Sequence, residues 1–141
     1  MKIVVGVDGS DGSARALRWC AQHAPALGAE VIAVHALELP AFAASLDPLA
    51  PPPVWLPEDR ARIEGVLRDE WCKPLADASV PFRSEVLDGY PPKVIIDVAA
   101  HEQADLVVTG RRGLGGFKEM LLGSTSHNLS HHLACALLIV P

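Results

Sequence analysis

The chain has 141 residues, half of them hydrophobic, and a formal net charge of −5. That length suits one domain, 1–141, with a two- or three-layer core, and the acidic balance argues against nucleic acid as the main partner. No run is long and apolar enough to read as a membrane span or a leader, so no membrane partner is expected and the cytoplasm is the expected compartment.

In chain order, Lys2 to Val7 (K-I-V-V-G-V) is a β-branched run of the kind that forms a strand buried on both faces. It ends in the turn cluster D-G-S-D-G-S, residues 8–13, which holds several candidate helix caps. Ala14, Leu17, Ala21, Ala24 and Leu27 then recur at helical spacing, with Gly28 as a natural stop and Pro25 as a potential kink. Val31 to Leu37 reads as a second buried strand. Residues 40–57 carry half of the chain's twelve prolines and read as a long variable loop, with Trp55 as its anchor.

A charged helix is predicted from Glu58 to Ala76, with Ile63, Val66, Leu67 and Trp71 at helical spacing and Pro74 marking its end or a kink. Phe82 to Leu87 is a more polar strand, placed at a sheet edge. A turn at Asp88–Pro92 opens a third helix with Val94, Ile95, Val98 and Ala99 on its apolar face. Asp105 to Thr109 is the fourth strand, Ser124 to Ala134 the fourth helix, and Ala136 to Val140 (A-L-L-I-V) the last strand. Strands alternating with helices specify a parallel sheet covered on both faces. Ligands bind such sheets beyond the strand C-termini, where the strand order reverses. If the first and fourth strands are neighbours, Asp8 and the segment after Thr109 face each other across that crevice.

That segment, G-R-R-G-L-G-G-F-K-E-M-L-L-G-S-T-S from Gly110 to Ser126, contains five glycines. Glycine lets backbone N–H groups approach a ligand closely, and a helix start offers unpaired N–H groups and a partial positive charge. Together they suit a phosphate, with Arg111 and Arg112 as fork-shaped cations. Neither common phosphate motif is present: no Lys follows a G-x-x-x-x-G, and no G-x-G-x-x-G follows the first strand. A plain Gly-rich turn followed by a Ser/Thr-capped helix is the competing explanation.

The chain resembles the ATP-binding branch of the universal stress protein family. The resemblance rests on Gly110-Arg111-Arg112-Gly113, then the nine residues Leu114 to Leu122, then Gly123-Ser124. The opening V-V-G-V-D-G-S, the His35-Ala36 pair, the G-Y-P before the third helix and the short final strand are also similar. The resemblance implies an open five-stranded parallel sheet of order 3-2-1-4-5 with helices on both faces, of the adenine nucleotide alpha hydrolase-like kind. It implies a homodimer formed through the last strand, ATP as ligand, and a divalent ion such as Mg²⁺. Carried over by position, Asp8 meets the ribose or adenosine end and the backbone of Ala36 reads the adenine. Gly110, Arg111, Gly113, Gly123, Ser124, Thr125 and Ser126 surround the phosphates. The chain departs from the family pattern at Arg111 and Arg112, where smaller or less charged residues are frequent, and at Ala136, where proline is common.

Several residues keep two readings. Asp8 is either a ribose ligand or a helix cap, and Arg111 either a phosphate contact or solvated surface. Ser124 and Thr125 can cap and bind at once. His127 and His131, four apart on a helix, lack a carboxylate or cysteine to complete a metal site and read as a solvated face. His35 lies near the crevice as ligand or filler. The cysteines Cys20, Cys72 and Cys135 form no C-x-x-C pair and read as reduced thiols. There is no G-x-S-x-G elbow or visible Ser-His-Asp set, and neither Asp8 nor Glu119 has a second group to tune it as a base. The expectation is a nucleotide-binding regulatory protein with at most slow hydrolysis, its protein partner unknown. A slow ATP hydrolase, or an interaction module binding AMP or cyclic AMP, is the alternative.

Overall fold

The computed structural model describes residues 1–38, 55–114 and 122–141. Most of the predicted 40–57 loop, and Lys118 and Glu119, lie outside the described residues.

Five parallel strands form one sheet in the order β3-β2-β1-β4-β5. In chain order these are β1 Lys2–Gly6, α1 Asp11–Leu27, β2 Glu30–Leu37, α2 Pro57–Val66, a π-helical turn Leu67–Trp71, α3 Lys73–Asp77, β3 Phe82–Asp88, α4 Pro91–His101, β4 Leu106–Gly110, α5 Ser124–His132 and β5 Ala136–Val140. β1 is central: Val4 pairs with Ile32 of β2 on one side and Val107 of β4 on the other. The strand order therefore reverses between β1 and β4, as the sequence leads one to expect.

The apolar runs divide by alternation into two cores. Ile3, Val5 and Val7 join Leu17 and Cys20 of α1, and Leu67 and Leu75, on one face. Val4, Ile32 and Val107 join Ile95 and Val98 of α4 and Leu129 of α5 on the other. A strand buried on both faces needs no polar alternation, which is why the β-branched runs identified these strands.

The predicted helix from Glu58 to Ala76 is broken. Cys72 N bonds Leu67 O at 3.0 Å, a five-residue step that inserts a π turn. The segment restarts as α3, where Pro74 occupies the first turn and is tolerated for lack of an N–H. Pro25 does not end α1. The helix runs past it to Gly28, whose left-handed backbone (φ 57°) closes the last turn. Cys20, Cys72 and Cys135 are free thiols, the first two buried, and burial pushes both of those up to about 12. No helix among the described residues is long and apolar enough to cross a membrane.

Candidate functional site

The C-terminal ends of β1 and β4 diverge where the chain leaves in opposite directions, and a cavity of about 400 Å³ opens there. Its walls come chiefly from five segments: Gly6 to Asp8 at the end of β1, Val34 to Glu38 along and just after β2, Pro91 and Ile95 of α4, Thr109, Gly110 and Arg112 to Leu114 at the end of β4, and Gly123 to Ser126 at the start of α5. Trp55 and Ile63 close one side.

The crevice floor depends on backbone contact that side chains would forbid. A Cβ on Gly110 would stand 2.4 Å from the backbone of Gly12, and one on Gly12 would stand 2.1 Å from Arg112 O. β4's exit loop therefore lies directly on the first turn of α1. Beside it, Gly9 takes φ 78°, and a Cβ there would meet the Trp71 ring at 2.5 Å. Trp71, delivered by the π turn, also meets His35 edge-to-face at 5.4 Å. The His35 Nδ1 shares a hydrogen with Val7 O at 2.7 Å, which acts as acceptor. A carbonyl can only accept, so this ring nitrogen carries the proton.

The polar groups fall into two sets. Asp8 accepts from Ser10 N (3.0 Å) through one carboxylate oxygen and from Leu114 N (3.2 Å) through the other. It does not cap α1. That task belongs to Ser10, whose Oγ accepts from Ser13 N. Asp8 thus ties the β1 exit to the β4 loop, and a Cβ on Gly113 would meet its carboxylate at 2.3 Å. At α5 the N-cap is Gly123 and no side chain caps the helix. Ser124 and Thr125 are its first two residues and line the cavity. Ser126 turns inward and is buried, its hydroxyl donating to Arg111 O (3.0 Å) and Gly123 O (3.1 Å). Arg111 N donates to Val140 O of β5 and Arg111 O accepts from Gly123 N, each at 2.8 Å.

Ala36 contributes its backbone. Along β2, alternate residues direct both N–H and C=O to the same neighbour in a parallel sheet. Val34 O accepts from Val7 N, the last residue of the β1 run. Two residues on, Ala36 faces the same way where β1 has already turned off. Its N–H and C=O front the cavity instead of a strand.

Of the nine residues singled out from sequence, Asp8, Ala36, Gly110, Gly113, Gly123, Ser124, Thr125 and Ser126 line one cavity; Arg111 does not. Arg112 does, and its Nε is buried without a partner among the described residues. Trp55, Ile63 and Pro91 are wall residues that sequence reasoning did not assign to the site. Only the G-Y-P turn and the Trp55 anchor pointed their way. His127 and His131 touch edge-to-face at 4.9 Å on α5. No group of three His, Cys, Asp or Glu able to hold a metal occurs among the described residues.

The model of the universal stress protein family matches residues 1–141. The chain belongs to that family. The universal stress protein YxiE of Bacillus subtilis is 34% identical over 150 aligned positions, covering 99% of this chain and 97% of YxiE. Among solved structures, a universal stress protein in complex with cAMP is 29% identical with a TM-score of 0.73, covering 100% of this chain and 96% of that one. The Archaeoglobus fulgidus universal stress protein in complex with dAMP has the same TM-score at 22% identity, covering 100% and 98%, and shares the fold. The universal stress protein fold of this chain is thus the five-stranded parallel α/β sheet expected from its sequence.

Proposed function

We propose that this universal stress protein is a cytoplasmic regulatory protein, one domain over 1–141, that binds an adenine nucleotide, ATP foremost, in the crevice between β1 and β4. The observation that carries the reading is one cavity bounded at one end by the outward-facing backbone of Ala36 and at the other by the uncapped first turn of α5. A peptide N–H and C=O side by side match the acceptor N1 and donor N6 of adenine. An uncapped helix start beside glycines suits phosphate. The cAMP and dAMP complexes of family members support an adenine ligand.

In this reading Asp8 holds the ribose side. Gly110, Gly113, Gly123, Ser124 and Thr125 surround the phosphates, Ser126 braces the loop, and Arg111 acts through its backbone. The donor set suits Mg²⁺ only as an ion carried in by the phosphates, since Mg²⁺ keeps several waters and needs few protein ligands in such sites. Its chemistry there is charge neutralisation. The binder reading is preferred to the hydrolase reading because both Asp8 oxygens already accept backbone N–H groups, which leaves the carboxylate poorly placed as a general base. The bare outer edge of β5 supports a homodimer through that strand. Nucleotide regulates only if it binds two states of that edge, or of a protein partner's surface, unequally.

Calorimetric titration of ATP, ADP, AMP and cyclic AMP, with and without Mg²⁺, tests this. ATP is expected to bind most tightly, and a variant with bulky residues at Gly113 and Gly123 is expected to lose binding while staying folded. Normal ATP binding by that variant would remove the site assignment. No binding of any adenine nucleotide would reduce the crevice to architecture.

A further inference from the structure

We propose that Arg112 is the charge-discriminating group of the crevice, and that it makes the site favour adenine nucleotides ending in a free phosphate over cyclic phosphodiesters. The proposal rests on the nucleotide reading above and adds to it a ligand class and a residue.

Arg112 is held where the starts of two helices converge. Its carbonyl rests on Gly12 in the first turn of α1, and its Cα would lie 3.3 Å from a Cβ on Gly123, the N-cap of α5. These contacts leave its backbone little freedom. The residue lines the cavity, and its Nε is buried without an acceptor among the described residues. Arg60, Arg62, Arg68 and Arg83, by contrast, each hold a carboxylate. The Asp8 carboxylate, which ties the two exit loops together, is taken up by the N–H groups of Ser10 and Leu114.

A buried guanidinium N–H without an acceptor is costly, and a side-chain rotation that brings it onto a charged acceptor in the cavity removes that cost. The α5 start adds unpaired N–H groups and a partial positive charge to the same wall. A terminal phosphate brings nearly two negative charges and three non-bridging oxygens, enough for a two-pronged guanidinium contact with one oxygen left for the helix start. A cyclic phosphodiester brings one charge and two free oxygens, so guanidinium and helix start must share them. The difference is one charge-assisted bond plus about one unit of charge.

The test is calorimetric titration of adenosine, AMP and cyclic AMP into the wild-type chain, Arg112→Gln and Arg112→Lys. The wild type is expected to bind AMP at least about tenfold more tightly than cyclic AMP. Arg112→Gln should weaken AMP by roughly ten- to a hundredfold, and cyclic AMP and adenosine by less than about threefold. Arg112→Lys should recover part of the AMP loss, because it restores charge without the fork. A ³¹P NMR titration gives a readout that a merely structural role would not move. The second ionisation of bound AMP, about pH 6 for a free phosphate monoester, should fall in the wild type and return upward in Arg112→Gln. Equal weakening of AMP and cyclic AMP in Arg112→Gln, or tighter wild-type binding of cyclic AMP than of AMP, overturns the proposal while leaving the adenine site standing. Failure of all three ligands to bind the wild type removes the adenine site itself, and this proposal with it.

Discussion

The two ends of the sheet treat their polar groups differently. At the end where the strands begin, Arg83 on edge strand β3 bonds Glu30, Glu85 and Glu102, Lys2 reaches Glu102, and the Lys2 N–H donates to Asp105. At the end where the strands finish, Arg112 Nε is buried without an acceptor among the described residues, the backbone of Ala36 fronts the cavity, and α5 begins without a side-chain cap. Unmet polar capacity inside a fold is destabilising and persists where something else uses it. The first end is scaffold, held together by charges that answer each other. The second leaves polar groups open beside the crevice, as the proposed nucleotide site requires.

The strongest way to break this contrast is to fill the contact between the exit loop and α1. Gly110→Val is expected to cost about 3 kcal/mol, since its first side-chain carbon would already stand 2.4 Å from the Gly12 backbone. Urea unfolding measures the loss, and nucleotide binding should vanish with it. Gly113→Ala acts more selectively. The added methyl must displace the Asp8 carboxylate, so affinity should fall roughly tenfold or more while stability changes by less than about 1 kcal/mol. Unchanged affinity in that variant would detach Asp8 from the ligand.

A smaller effect belongs to the other end. The Arg83 guanidinium, and then Lys2, hold the Glu102 carboxyl below its ordinary value of 4.5. A carboxyl whose folded value is depressed adds stability above the unfolded value, and that contribution is lost as pH falls from about 4.5 through the lower folded value. Glu102→Gln should therefore flatten the decline of Tm in that acid window and leave nucleotide affinity untouched. A change in affinity would show that the two ends are coupled. The smallest effect concerns the thiols. With Cys20 and Cys72 pushed up to about 12 by burial, alkylation at pH 8 should label only Cys135 rapidly in the folded chain, and the other two only after unfolding.

Much of the scaffold was legible in the residues. β-branched runs marked the strands because burial on both faces demands them, and the polar Phe82–Leu87 run announced an edge. The π turn was not legible. Ile63, Val66, Leu67 and Trp71 fit an uninterrupted helix as well as one with an inserted residue, and it is packing of Trp71 on Gly9 and His35 that distinguishes them. The crevice was legible in outline through the glycine spacing. Its details were not: adjacent Arg111 and Arg112 are equivalent as letters, and only the wedge of Arg112 between Gly12 and Gly123 separates them. Asp8 kept a cap reading beside the ribose one because D-G-S-D-G-S offers several caps, and the bond from Ser13 N to Ser10 Oγ gives the cap to Ser10.

The Arg111 peptide group has a kinetic meaning. Its N–H is bonded to Val140 at the end of edge strand β5, and its carbonyl receives Gly123 N and the Ser126 hydroxyl at the start of α5. Fraying of the sheet edge and loosening of that first helical turn must pass through the same few atoms, so they form one local opening event rather than two. The amides of Arg111 and Gly123 should then exchange with deuterium at a common rate, and whatever closes over either side slows both.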